Sequence, residues 1–148
     1  MALAALAFLL DTDAFFALLR PEPESHPLIA WKRGVRNDQV FVSVISVGEL
    51  LDAIAALRAP SLRRQWEARL HEHLPNAFHG RILEVDLRTA EDWGLIRGTR
   101  GAGGVLTAEE SLILATARVN GFSLVTRAAA HHKRLGVNVI DPYARAGL

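Results

Sequence analysis

Three short segments carry acidic residues where carboxylates do chemistry. Asp11-Thr12-Asp13 sets two carboxylates two residues apart, directly behind an apolar run. Ser46-Val47-Gly48-Glu49 and Thr107-Ala108-Glu109-Glu110 each place a glutamate three residues after a hydroxyl. Carboxylate oxygens suit a hard divalent cation such as Mg²⁺, which keeps its remaining sites for water and phosphate. Each segment also has a plainer reading. Asp13 is expected to N-cap the helix that begins at Ala14. Both S/T-x-x-E segments match a capping box, in which the glutamate reaches back to the cap's backbone N–H. Asp11 follows an apolar run with no such duty and reads as functional. Together, Asp11, Glu49 and Glu110 are expected to converge from three βα junctions on one edge of a sheet. Carboxylates clustered in a dry site repel one another, so such a site usually also holds a cation.

Other arrangements exclude themselves. Gly98 to Gly104 lacks the GK[ST] ending of a phosphate loop and reads as a connection, although Arg97 beside it and Arg100 within it can reach a phosphate backbone. His71 and His73 diverge on a helix, which is poor zinc geometry. No Ser-His-Asp order or nucleophile elbow is present. Trp31, Trp66 and Trp93 read as core or interface anchors.

The elements that must position the acids follow from periodicity. Ala5 to Leu10 reads as a buried strand, and Ala14 to Arg20 as a helix stopped by Pro21 and Pro23. His26 to Arg33 is expected to be helical up to Gly34. Val40 to Ile45, almost wholly β-branched, is the strongest strand signal. Helices are expected from about Val47 to Arg58 and Ser61 to Leu74, then a strand from Arg81 to Val85. Thr89 to Arg100 and Glu109 to Asn120 read as helices, the second buried and ended by Gly121. Phe122 to Thr126 and Val137 to Ile140 read as strands around a short helix, Ala128 to Leu135. Strands separated by helices imply an α/β fold with a mostly parallel sheet covered on both faces. Ligands in such sheets sit beyond the carboxyl ends of the strands. That singles out Asp11, Asp13, Ser46, Glu49, Thr107, Glu110, Thr126 and His131.

Composition narrows the function classes. The chain has 148 residues, half of them apolar, and no linker or repeat, so one domain over 1–148 is expected. Seventeen basic residues face sixteen acidic ones. With a net charge of +1, nucleic-acid binding must come from a local patch. Fifteen of the basic residues are arginine, a bias that a GC-rich genome alone would produce. Cysteine is absent, which excludes disulfides, thiol catalysis and cysteine-ligated metals, and fits a reducing cytoplasm. Met1 to Leu10 is short, lacks a positive start and runs into Asp11. It reads as neither a signal peptide nor a spanning helix, and no membrane association is expected.

The ordered set of motifs resembles the PIN-domain family, in particular the VapC and FitB-type ribonuclease toxins of toxin–antitoxin pairs. The resemblance rests on Leu9-Leu10-Asp11-Thr12-Asp13, on Ser43-Val-Ile-Ser-Val-Gly-Glu49-Leu50, and on Gly80-Arg81-Ile82-Leu83 followed by Asp86 and Ala90-x-x-Trp93-Gly94. It continues through Leu112-Ile-Leu-Ala-Thr-Ala117, Leu124-Val-Thr-Arg127 and Leu135-Gly-Val. It implies a three-layer fold, a central mostly parallel sheet flanked by helices, and four acidic positions around Mg²⁺ or Mn²⁺. It also implies hydrolysis of RNA phosphodiesters, a homodimer, and a VapB-type antitoxin whose segment crosses the cleft. Carried over by position, the acids are Asp11, Glu49 and Glu110. His131 stands at the fourth position, Ala128 replaces an asparagine, and Asp13 replaces the asparagine of LLDTN. Asp13 and Thr126 are possible supporting residues. The altered quartet keeps an alternative open, a catalytically weakened domain that binds antitoxin or RNA. Phe15, Phe16, Leu18, Leu19, Ile54 and Leu57 are expected to divide between the core and a partner-facing groove.

Overall fold

The computed structural model describes residues 6–20, 26–99, 105–127 and 135–144. Its five strands are β1 (Phe8–Leu10), β2 (Val40–Ser43), β3 (Ile82–Leu83), β4 (Ser123–Val125) and β5 (Val139–Ile140). They form one sheet in the order β3-β2-β1-β4-β5, with every pairing parallel. Among the described residues six α-helices accompany them: α1 (Thr12–Leu19), α2 (Pro27–Arg33), α3 (Val44–Ala55), α4 (Pro60–Ala77), α5 (Leu87–Gly98) and α6 (Ala108–Asn120).

The alternation of side chains along the strands builds two cores. Phe8, Leu10, Val40, Val42 and Val125 point to one face, where α1 to α4 supply Phe15, Leu19, Leu28, Leu50, Ile54 and Leu70. Leu9 and Leu124 point to the other face, against Ile96 of α5 and Ile113, Leu114 and Ala117 of α6. The central strands are buried on both sides, as crossover helices require of a parallel sheet. The α/β three-layer expectation therefore holds, and the sheet is wholly parallel. Phe15, Leu19 and Ile54 belong to the core, whereas Phe16, Leu18 and Leu57 are half-buried.

Element ends differ from the sequence reading for local reasons. The expected strand Val40 to Ile45 stops at Ser43, because the Ser43 hydroxyl accepts from the Ile45 N–H and caps α3. Val44 and Ile45 thus enter a helix despite their β preference, and α3 ends at Ala55 rather than Arg58. α4 runs longer than expected, to Ala77. Gly121 ends α6 as expected, with φ at +69°, a conformation glycine adopts without strain. The expected helix from Ala128 to Leu135, apart from its last residue, lies outside the described residues. Among those described, no helix is long and apolar enough to cross a membrane.

Candidate active site

The strand order changes direction at β1. The chain moves from β1 to β2 and β3 on one side, then crosses back through α5 and α6 to β4 on the other. A crevice opens at the carboxyl ends of strands where an order reverses in this way. Asp11 closes β1 there, its backbone N–H donating to Val125 O at 3.1 Å. Thr126 closes β4 beside it.

Asp11, and not Asp13, is the N-cap of α1. Its Oδ1 accepts from the Ala14 N–H at 2.8 Å. Asp13 lies in the first turn, exposed, where the helix dipole favours its charge. The Thr126 side chain also hydrogen-bonds Asp11. Burial is the largest influence on the Asp11 carboxyl and pushes its pKa up. The two hydrogen bonds pull the other way, and the charges of Asp13 and Glu110 push it up further.

Glu49 reaches the same crevice by a different route. Ser46 does not cap α3; that role belongs to Ser43, so no capping box forms with Glu49. Ser46 and Glu49, three residues apart, share one face of α3 and meet Thr12 at the start of α1. Thr12 Oγ1 donates to Glu49 Oε1 at 2.6 Å and lies 2.9 Å from Ser46 Oγ. Glu110 does form its capping box. Its Oε2 accepts from the Thr107 N–H at 2.8 Å, and its own N–H donates to Thr107 Oγ1 at 3.0 Å. Its junction is not βα, however, because α6 follows α5 rather than a strand.

Asp11, Asp13, Glu49, Glu109 and Glu110 line one cavity of about 260 Å³, together with Thr12, Thr107, Thr126 and Arg127. Thr12 and Arg127 were not singled out as site residues from sequence. Arg127 directly follows Thr126 at the carboxyl end of β4, the same criterion that picked out Asp11. His131 and Ala128 lie outside the described residues. Arg97, considered for phosphate, instead donates to Leu106 O at 2.7 Å and ties α5 to the segment before α6. Trp93 is an anchor as expected, its Nε1–H donating to Ser111 Oγ at 2.9 Å.

The donors facing the cavity are hard oxygens, which fit Mg²⁺ or Mn²⁺ and not a soft metal. Among the described residues, no three Asp, Glu or His side chains stand close enough to hold an ion as they are. Glu49 is held by Thr12 and Glu110 by its own cap. Each hydrogen bond occupies one oxygen, Oε1 of Glu49 and Oε2 of Glu110, and leaves the other to a cation, so ligation by all three acids requires the side chains to draw closer together.

The PIN domain profile matches residues 8–136. The chain is 29% identical over 138 residues to "VapC ribonuclease Y4jK" of Sinorhizobium fredii, covering 93% of this chain and 98% of that protein. It is 29% identical over 136 residues to "Toxin FitB" of Neisseria gonorrhoeae, covering 91% of this chain and 97% of that one. The crystal structure of FitAcB from the same organism superposes with a TM-score of 0.82, at 29% identity and 93% coverage of this chain and 99% of that one. Motif order, parallel topology, the acidic crevice at the switch point and a match over most of the length agree: the chain belongs to the PIN-domain family.

Proposed function

We propose that this chain is a metal-dependent endoribonuclease toxin that hydrolyses RNA phosphodiesters at the Asp11–Glu49–Glu110 crevice. The observation that carries the reading is the half-buried Asp11 carboxylate at the switch point, in one cavity with four other carboxylates. The names of its relatives, a ribonuclease and a toxin, support the same reading. Asp11, Glu49 and Glu110 hold the divalent cation, with Asp13 as a supporting carboxylate. The cation, when bound, supplies positive charge that draws in the phosphodiester and acidifies water beside it. Thr126 and the Ala14 N–H fix the Asp11 carboxylate, and Arg127 presents a guanidinium to the substrate phosphate. A VapB-type antitoxin neutralises the toxin, and the chain acts as a homodimer in the cytoplasm.

The test is cleavage of structured RNAs with Mg²⁺ or Mn²⁺, beside an Asp11→Asn control. A loss of roughly 100-fold or more in that control is expected. Absence of cleavage with both metals overturns the reading.

A second reading is favoured by Glu110, one of whose carboxylate oxygens is held by its own cap, and by histidine at position 131. In it the domain acts mainly by binding antitoxin or RNA, with weak catalysis. Fewer anionic ligands hold a hard cation less tightly, and imidazole suits Mn²⁺ better than Mg²⁺. Turnover is therefore expected to be low and higher with Mn²⁺. The double substitution His131→Asp with Ala128→Asn is expected to raise it, and equal cleavage by parent and variant with either metal would refute the quartet argument.

A further inference from the structure

A second pocket adjoins the acidic crevice and has the opposite character. It measures about 510 Å³ and is lined by Asp13, Phe16, Ala17, Arg20, His26, Arg127 and Tyr143. Asp13 and Arg127 line both cavities, so the two are neighbours. The Arg127 guanidinium carbon lies 3.7 Å from the Tyr143 ring centroid, and His26 meets that ring edge-on at 5.3 Å. Arg20 is exposed on the same wall. Among the described residues two ion pairs form, Arg36–Asp38 and Arg118–Asp92, and neither uses Arg20 or Arg127. The positive charge of Arg20 and Arg127 is felt at His26, whose pKa it lowers after burial has done so.

Two guanidinium groups beside a half-buried tyrosine match one kind of ligand chemistry. Arginine binds phosphate oxygens through paired N–H groups. Unpaired bases stack on aromatic rings and on guanidinium planes. An acidic protein segment would satisfy the arginines but bring no ring to stack on the paired Arg127 and Tyr143.

We propose that this pocket is a subsite for single-stranded RNA, seating a phosphate on Arg20 and Arg127 and an unpaired base against Tyr143. The inference rests on the ribonuclease reading for the identity of the strand. A strand leaving the crevice past Arg127 enters this pocket. Contacts of this kind read phosphate and base, so single-stranded DNA of the same sequence binds through them too.

The probe is a short fluorescein-labelled single-stranded oligoribonucleotide in chelator, where cleavage plays no part. Arg20→Ala is expected to weaken binding about fivefold to tenfold at low salt. It should also reduce the slope of log K against log salt by about 0.7, the share of one phosphate on a single strand. Tyr143→Leu is expected to weaken binding roughly fivefold with the slope unchanged. Unchanged affinity and slope in Arg20→Ala, an exposed position whose loss leaves the core intact, overturns the subsite. So does an equal loss for polyglutamate, which would assign the pocket to an acidic protein segment. If the wild type cleaves no RNA yet Arg20→Ala loses the oligonucleotide, the subsite stands and the nuclease reading falls. If Asp11→Asn abolishes cleavage while Arg20→Ala binds like wild type, the subsite alone falls.

Discussion

Asp11 has two duties that ordinary substitutions separate. Its Oδ1 caps α1, and its charge joins those of Asp13 and Glu110. Asparagine keeps a cap and drops the charge, whereas alanine drops both. In metal-free buffer Asp11→Ala is expected to lose about 1 kcal/mol of stability in urea unfolding, and Asp11→Asn to match or exceed the parent. The sign follows from titration. Burial raises the folded pKa of Asp11 above 3.8, so the native state holds the proton more tightly than the unfolded chain. Its contribution is full below that unfolded value and is lost as pH rises through the folded one, leaving a cost at neutral pH that asparagine removes. His26 runs the other way. Its Nδ1 caps α2 by accepting from the Leu28 N–H at 3.2 Å, and protonation there removes the acceptor. Burial, then Arg20 and Arg127, lower its pKa from 6.5, so its stabilisation is present above 6.5 and is lost as pH falls through the lowered value. His26→Asn caps without titrating. Its melting temperature relative to the parent is therefore expected to improve steadily as pH is lowered from 6.5. The place of Asp11 in the crevice was legible, but its role as a cap was not. Two aspartates flank the first helical residue, and propensity does not place a helix start to within two positions.

The start of α3 decides how Glu49 is used. A helix beginning near Val47 would have made Ser46 the cap and Glu49 its capping-box partner. Beginning at Val44, it carries both residues inward on one face, against Thr12 of α1. The β-branched run Val40 to Ile45 hides this boundary. Only the Ser43 hydroxyl, bonding two residues ahead, marks it. The consequence is a polar joint between two helices beside the crevice, in which Ser46 is fully buried. Thr12→Val keeps the shape of the side chain but strips Glu49 and Ser46 of their shared partner. Stability is expected to fall by about 1–2 kcal/mol, because a buried hydroxyl and a half-buried carboxylate lose a hydrogen bond. Thermal unfolding in chelator checks this, and a neutral result would show that water replaces the threonine hydroxyl. At this scale most elements were legible, since continuous apolar runs mark the central strands and proline or glycine punctuates α1, α2 and α6. The starts of α1 and α3 were not, because single side-chain caps, Asp11 and Ser43, set them.

Strand order is a property of the whole chain that periodicity does not encode. Asp11 and Glu110 stand at helix starts and Glu49 one turn further into α3, but the return crossover from β3 to β4 is what sets Glu110 near Asp11. The family motifs carried that information where local pattern did not. The assembled molecule has a net charge of +1, so no overall field draws a polyanion toward it. What its surface offers is local and divided, with five carboxylates in one cavity and two arginines shared with or beside it. Without a cation, the crevice repels the phosphates that the neighbouring arginines attract. Removing one negative charge should therefore help binding in chelator. Asp11→Asn is expected to bind a single-stranded oligoribonucleotide about threefold to tenfold more tightly than the parent in chelator. That is the scale of one like-charge contact, on the order of 1 kcal/mol in a solvated crevice. With Ca²⁺ added the order is expected to reverse, because the parent gains a cation that the variant holds poorly. Fluorescence anisotropy in the two buffers measures both orders. A parent that binds more tightly in chelator as well would mean that the strand does not approach the carboxylates at all.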